Sequence, residues 1–163
     1  MNQTELNAHR DLLAGSVVFR GLEDPALDQI LKNGMLLEAK KGDLVLFEHA
    51  RGGPGLYVVL EGQIEIFLSH DPAKVGIGPS EVYLNTLEPG HCFGEYSLID
   101  GKETSASAKA LKNTRLFFFP RGAFLRLVES DAKTGKSIYH NLLLYLIGRL
   151  RQKDKELDVL IMR

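Results

Sequence analysis

Apolar positions change their spacing twice along the chain, near Met35 and again at Pro120, and the three stretches so marked predict three kinds of structure. Before Met35 the spacing is helical. Leu6, Leu12 and Leu13 allow a short, weakly specified helix over residues 4 to 15. A second helix follows in "FRGLEDPALDQILKNG", with Asp24 as cap, Pro25 at the first helical position and Gly34 closing the turn. Leu27, Ile30 and Leu31 share one face of it.

From Met35 the runs become strand-like and are broken by glycine: "LLEAKKGD", "LVLFEH", "LYVVLEG", "QIEIFLS", "VYLNTLEPG", "SASAKAL" and "RLFFFP". Ile64 and Ile66 point one way while Gln63, Glu65 and Phe67 point the other, giving one core face and one mixed face. Seven or so short strands predict a small β-roll or sandwich. The loop "HDPAKVGIGPSE", residues 70 to 81, is expected to protrude, and its Gly76 and Gly78 lack the third glycine and the strand-to-helix context of a nucleotide fingerprint.

Beyond Pro120 a short helix, "RGAFLRLVES", precedes a long one. In the long helix Leu143, Leu146, Leu150, Lys153, Leu157 and Leu160 recur at alternating spacings of three and four, with Lys153 the single charged intruder. A helix folded back on its own barrel also makes an apolar stripe. This stripe is narrow and its other faces are strongly charged, which favours a homodimer seam. The expected class is therefore mainly β with flanking helices: an N-terminal helical segment (1–34), a β-roll (35–120) and C-terminal helices with a dimerisation helix (121–163).

Composition narrows the function. The 163 residues carry 20 Lys plus Arg against 21 Asp plus Glu, a formal charge of -1, so no global basic field draws in nucleic acid or an anionic membrane. The single cysteine, Cys92, excludes an internal disulfide framework and a Cys-rich zinc cluster. The N-terminus lacks a signal-peptide pattern and no run of eighteen apolar residues occurs, from which a soluble, cytoplasmic protein is expected.

The densest candidate chemistry lies in "FGEYSLIDGKETSASAKA", Phe93 to Ala110. Gly94 permits an unusual backbone conformation or a close approach, and Glu95 to Ile99 can form one helical turn. The amides of Glu95, Tyr96 and Ser97 at such a helix start suit an anionic oxygen. Glu95 offers two acceptor oxygens, as a sugar hydroxyl pair requires, although a carboxylate in a first turn also serves as a cap.

Taken with "FRGLEDPALDQIL", "KKGDLVLFE", "GLYVVLEGQIEIF" and "LEPGHCFGEYSLIDGKETSASAKA", the chain resembles the cyclic nucleotide-binding domain family from Phe19 to its last helix. The resemblance implies a double-stranded β-helix fold (β-roll or jelly roll) and a regulatory, non-enzymatic module. It implies that "LEPGHCFGEYSLIDGKETSASAKA" is the phosphate-binding cassette and that Glu95 binds a ribose 2′-hydroxyl. The candidate ligand residues are Phe93, Gly94, Glu95, Tyr96, Ser97, Thr104 and Ser105. The family's cassette closes with an arginine followed by two small residues; here Thr104 occupies the arginine position, and Ser105 and Ala106 the small ones.

Threonine offers one neutral hydroxyl where arginine offers a charged fork, a loss on the order of ten- to a thousandfold in phosphate affinity. Three explanations stand open. Another cation, Lys102 or Lys109, reaches the phosphate; the ligand differs; or the pocket is empty and the domain serves dimerisation or protein interaction. No cofactor is required on any of them, a cyclic nucleotide is the candidate ligand, and an effector protein is the candidate partner. Catabolite-activator-like members carry a winged helix-turn-helix after the long helix, and this chain stops at Arg163, so no direct DNA binding is expected of it.

Other constellations read more simply. His9, His49, His70, His91 and His140 form no H-x-H pair, which argues against a cupin-type metal enzyme, the natural β-barrel rival. His91 and Cys92, adjacent on a strand, point to opposite faces, and a lone cysteine is more often core than nucleophile. Phe117, Phe118 and Phe119 read as a two-sided core strand rather than a base-stacking platform. "RLRQK", Arg149 to Lys153, is balanced by Asp154, Glu156 and Asp158 and reads as a solvated coiled-coil face.

Overall fold

The computed structural model describes residues 2–51, 54–69 and 81–162. The protruding loop expected at 70 to 81, with His70, Gly76 and Gly78, lies almost wholly outside the described residues. Among the described residues, eight strands form two four-stranded sheets, both antiparallel throughout. In chain order they are β1 (Met35–Ala39), β2 (Leu44–Leu46), β3 (Gly55–Glu61), β4 (Ile64–Ser69), β5 (Glu81–Leu87), β6 (Cys92–Phe93), β7 (Ser107–Ala110) and β8 (Thr114–Pro120). One sheet runs β1-β8-β3-β6 and the other β2-β7-β4-β5. This is the β-roll that the glycine-broken runs predict; the two-residue β6 is the strand they do not reveal.

Strand alternation divides the core in two. On β3, Tyr57 and Val59 face the second sheet and join Ile64, Leu87, Phe93 and Leu116. Leu56, Val58 and Leu60 face the helices, where Phe19, Leu27, Ile30, Phe117, Phe119 and Phe124 complete a second cluster. The phenylalanine run of β8 is thereby the expected two-sided strand, with Phe117 and Phe119 toward the helices and Phe118 packed against the inter-sheet core.

The N-terminal segment forms two short helices, α1 (Asn2–Ala8) and α2 (Arg10–Gly15), followed by α3 (Asp24–Asn33). Asp24 is the first helical residue of α3 rather than its cap, and its carboxylate meets Arg10 at 3.0 Å. Gly34 has an ordinary extended φ of -94°, so it does not end the helix by a left-handed turn. Glycine is required there for space: a Cβ would lie 2.0 Å from the Phe117 ring.

The roll is followed by α4 (Glu95–Asp100) within the cassette, then α5 (Arg121–Ser130) and α6 (Ala132–Ile161) beyond β8. Asp131 caps α6, accepting from the Thr134 amide at 3.1 Å and its hydroxyl at 2.6 Å. Thirty residues make α6 roughly 45 Å long. Its first half is docked: Ile138 and Leu142 are buried, and Asn141 Nδ2 donates to the carbonyls of Val18 (3.0 Å) and Arg20 (2.9 Å). Its second half is more open, with Leu150, Leu157 and Leu160 exposed by 64%, 55% and 66%.

Candidate functional site

Gly94 sets the geometry of the cassette. Its φ of +83° belongs to glycine, and a Cβ there would lie 2.6 Å from the Gly55 carbonyl oxygen. β6 can therefore lie tight against β3, where Phe93 stacks on Tyr57 at 4.7 Å, and turn at once into α4. That turn carries Glu95 inward to 3% exposure. The Ser97 hydroxyl is buried beside it and lies 3.4 Å from the Gly94 carbonyl.

All seven residues singled out from the sequence, Phe93, Gly94, Glu95, Tyr96, Ser97, Thr104 and Ser105, line one cavity of about 100 Å³. The opposite sheet contributes Leu46, Ile66 and Leu84. The cavity adjoins a groove of about 810 Å³, and Leu84, Tyr96 and Arg149 line both. The inner space alone is smaller than a typical small-molecule pocket; the groove is of that size.

Arg149 is the residue that sequence reasoning misplaced. It leaves the charged face of α6, reaches the roll and donates from Nη1 to Glu95 Oε1 at 2.8 Å. Its guanidinium lies 5.6 Å from the Tyr145 ring and 6.0 Å from the Tyr96 ring. "RLRQK" is thus not purely a solvated face. Burial pushes the Glu95 carboxyl above its ordinary range, and its own amide and Arg149 offset only part of that. Glu95 in turn raises Arg149 against the effect of burial, so the guanidinium stays charged.

Neither lysine considered as a substitute cation lines the cavity. Lys109 is held by Glu65 at 3.3 Å and Glu81 at 3.2 Å, above the Phe67 ring. Lys102 is exposed, its amide bonded to Asp100 at 2.9 Å. The cation at the cavity comes instead from α6.

Thr104 is buried, and its hydroxyl is already engaged. It donates to the Phe47 carbonyl and accepts from the Ala50 amide at 3.0 Å. Backbone bonds from His49 N to Thr104 O (2.9 Å) and from Thr104 N to Ala50 O (3.1 Å) complete the brace. The hydroxyl proton is spent on the loop after β2, so Thr104 braces the cavity wall and has no donor left for a phosphate. Ser105 beside it is exposed.

The remaining candidates have other surroundings. Burial pushes the Cys92 thiol well up, which opposes a thiolate. His91 Nδ1 accepts from the Glu88 amide at 3.1 Å. Among the described residues no group of three or more His, Cys, Asp or Glu side chains could hold a metal ion. No helix among them is long and apolar enough to cross a membrane.

Two antiparallel sheets that hold a buried carboxylate at one cavity, with a long helix bringing a guanidinium to it, define a β-roll with flanking helices. The chain belongs to the cyclic nucleotide-binding domain family, which residues 36–131 match. It is 34% identical over 148 residues to the cyclic AMP receptor protein of Thermus thermophilus, covering 91% of this chain and 63% of that protein. The crystal structure of the Thermus thermophilus catabolite activator protein superimposes with a TM-score of 0.71, covering 89% of this chain and 63% of the other. The chain is also 25% identical over 141 residues to the regulatory subunit of the cAMP-dependent protein kinase of Schizosaccharomyces pombe, covering 80% of this chain and 33% of that one. It thus spans less than two thirds of the length of each.

Proposed function

We propose that this chain is a cyclic-nucleotide-type sensor in which the β-roll of residues 35–120 holds the ligand and the helices of 121–163 carry the response. The observation that carries the proposal is the 2.8 Å contact between Glu95, inside the cassette, and Arg149, on α6. A ligand hydroxyl that donates to Glu95 meets the carboxylate that anchors the helix. A ligand phosphate finds in Arg149 a guanidinium with N–H groups beyond the one given to Glu95. Ligand entry therefore acts on the α6 contact, and switching follows if the ligand binds two positions of that helix with different affinity. The module performs no catalysis, works in the cytoplasm as a homodimer through α6, and passes its response to an effector protein. Its relatives named for cyclic AMP support the ligand class.

A second reading, a ligand-free dimerisation or interaction domain, is favoured by two features: Glu95 already has a partner, and the inner cavity is only about 100 Å³. Calorimetric titration with cAMP, cGMP and cyclic dinucleotides separates the two. Heat with at least one nucleotide, weakened at least tenfold by Glu95→Ala, supports the sensor. No heat with any of them removes it in its cyclic-nucleotide form, and binding unchanged by Glu95→Ala removes the assigned site.

A further inference from the structure

Lys153, the charged intruder in the apolar stripe of α6, does not sit in the stripe. Its ammonium folds back onto the roll, donating to the Leu84 carbonyl of β5 at 3.3 Å and to Glu156 Oε2 at 2.6 Å. Glu156 is itself steadied by Gln152, which donates to Oε1 at 3.3 Å. Leu84 lines both the inner cavity and the outer groove, and Lys153 lines the groove one helical turn beyond Arg149. The ammonium therefore stands at the point where a ligand anchored on Glu95 would emerge into the groove.

An ammonium has three N–H groups and no acceptor. Two are placed on Leu84 and Glu156, and among the described residues the third is left for the groove. Both oxygens of Glu156 already receive a bond, and the Leu84 carbonyl already receives one from Lys153. What the site presents here is a held donor. Tyr83 and Tyr96, both half-exposed, line the same groove and offer aromatic surface to a planar base.

We infer that Lys153 is a specificity-determining residue for the base of the ligand, and that it selects a 6-oxopurine over a 6-aminopurine. This rests on the reading of the cassette as a cyclic nucleotide site, with the sugar on Glu95 and the base extending into the groove. A 6-oxopurine shows two adjacent acceptors, O6 and N7, between which the one remaining N–H of Lys153 can be shared. A 6-aminopurine replaces O6 by an amino donor, which faces the ammonium donor to donor.

The test is calorimetry of the full chain with 3′,5′-cyclic IMP and cAMP, which differ at the purine 6-position and in the N1 proton. Cyclic IMP is expected to bind about tenfold more tightly, the ratio that one charged hydrogen bond supplies. Lys153→Met, which keeps the stem and removes the ammonium, is expected to bring the two within about twofold. Lys153→Gln gives a second readout should methionine disturb the helix, and circular dichroism checks both folds. Equal affinities in the unmodified chain, a preference for cAMP, or a preference that survives both substitutions overturns the assignment while leaving the sensor standing. Binding of neither nucleotide overturns both.

Discussion

Glu95 and Arg149, 54 residues apart in the chain, form a 2.8 Å ion pair that ties the cassette to the long C-terminal helix. The carboxylate is buried and the guanidinium mostly so, which makes the pair worth more to break than an exposed one. Removing one partner strands the other charge.

Arg149→Leu is therefore expected to destabilise the chain by about 2–4 kcal/mol, measured as a shift in the urea midpoint at unchanged slope. The double variant Arg149→Leu with Glu95→Gln, which strands no charge, should recover more than half of the loss. A single variant as stable as the parent would show that the pair does not form in solution.

The pH dependence follows from the direction of the Glu95 shift. Its folded pKa is raised above the ordinary 4.5 by burial, so the folded state holds this proton more tightly than the unfolded chain. The stabilisation from that proton is present in full below the unfolded pKa and is lost as pH rises through the folded one. Unfolding free energies of the parent relative to Glu95→Gln should fall as pH increases from about 4.5 upward. A difference independent of pH over that window would contradict the assignment.

Thr104→Val keeps the shape and removes the hydroxyl that joins Phe47 and Ala50. The buried brace should cost about 1–3 kcal/mol on chemical denaturation, while Ser105→Ala, at an exposed neighbour, should stay within about 0.5 kcal/mol. Equal effects of the two would place the Thr104 hydroxyl in solvent.

Gly94→Ala meets both a left-handed backbone and the Gly55 carbonyl. A loss of roughly 1–3 kcal/mol is expected, with weakened nucleotide binding in the same preparation. An alanine variant of parental stability would mean that the turn relaxes freely.

The C-terminal half of α6 leaves Leu150, Leu157 and Leu160 largely exposed. Light scattering at micromolar concentration should give a dimer, and Leu150→Glu with Leu157→Glu should give a monomer with an intact β-roll. A monomeric parent would remove the seam.

Much of this was legible in the sequence, and for physical reasons. Alternating Ile64 and Ile66 and the glycine-broken runs point to a small roll or sandwich, because each strand has to bury one face, and the cassette adds to this only through the family it resembles. The two residues of β6, between Gly90 and Gly94, are too few to show a period. Arg149 was missed because the heptad stripe of α6 draws attention to Leu146 and Leu150. A second stripe, Ile138, Asn141, Leu142, Tyr145 and Arg149, marks the face that docks on the roll, and its last member enters the site. The match to the family ends at residue 131, before that stripe begins. The bracing of Thr104 is not legible, because a sequence shows a hydroxyl but not which carbonyl receives its proton.

The central claim is that a ligand at Glu95 is read by α6 through Arg149. Amide hydrogen exchange across α6, with and without a saturating cyclic nucleotide, tests it most directly. Protection of residues 145 to 153 should change on ligand addition in the parent chain and not in Arg149→Leu saturated with the same nucleotide. Identical exchange along α6 in the free and saturated parent would contradict the account.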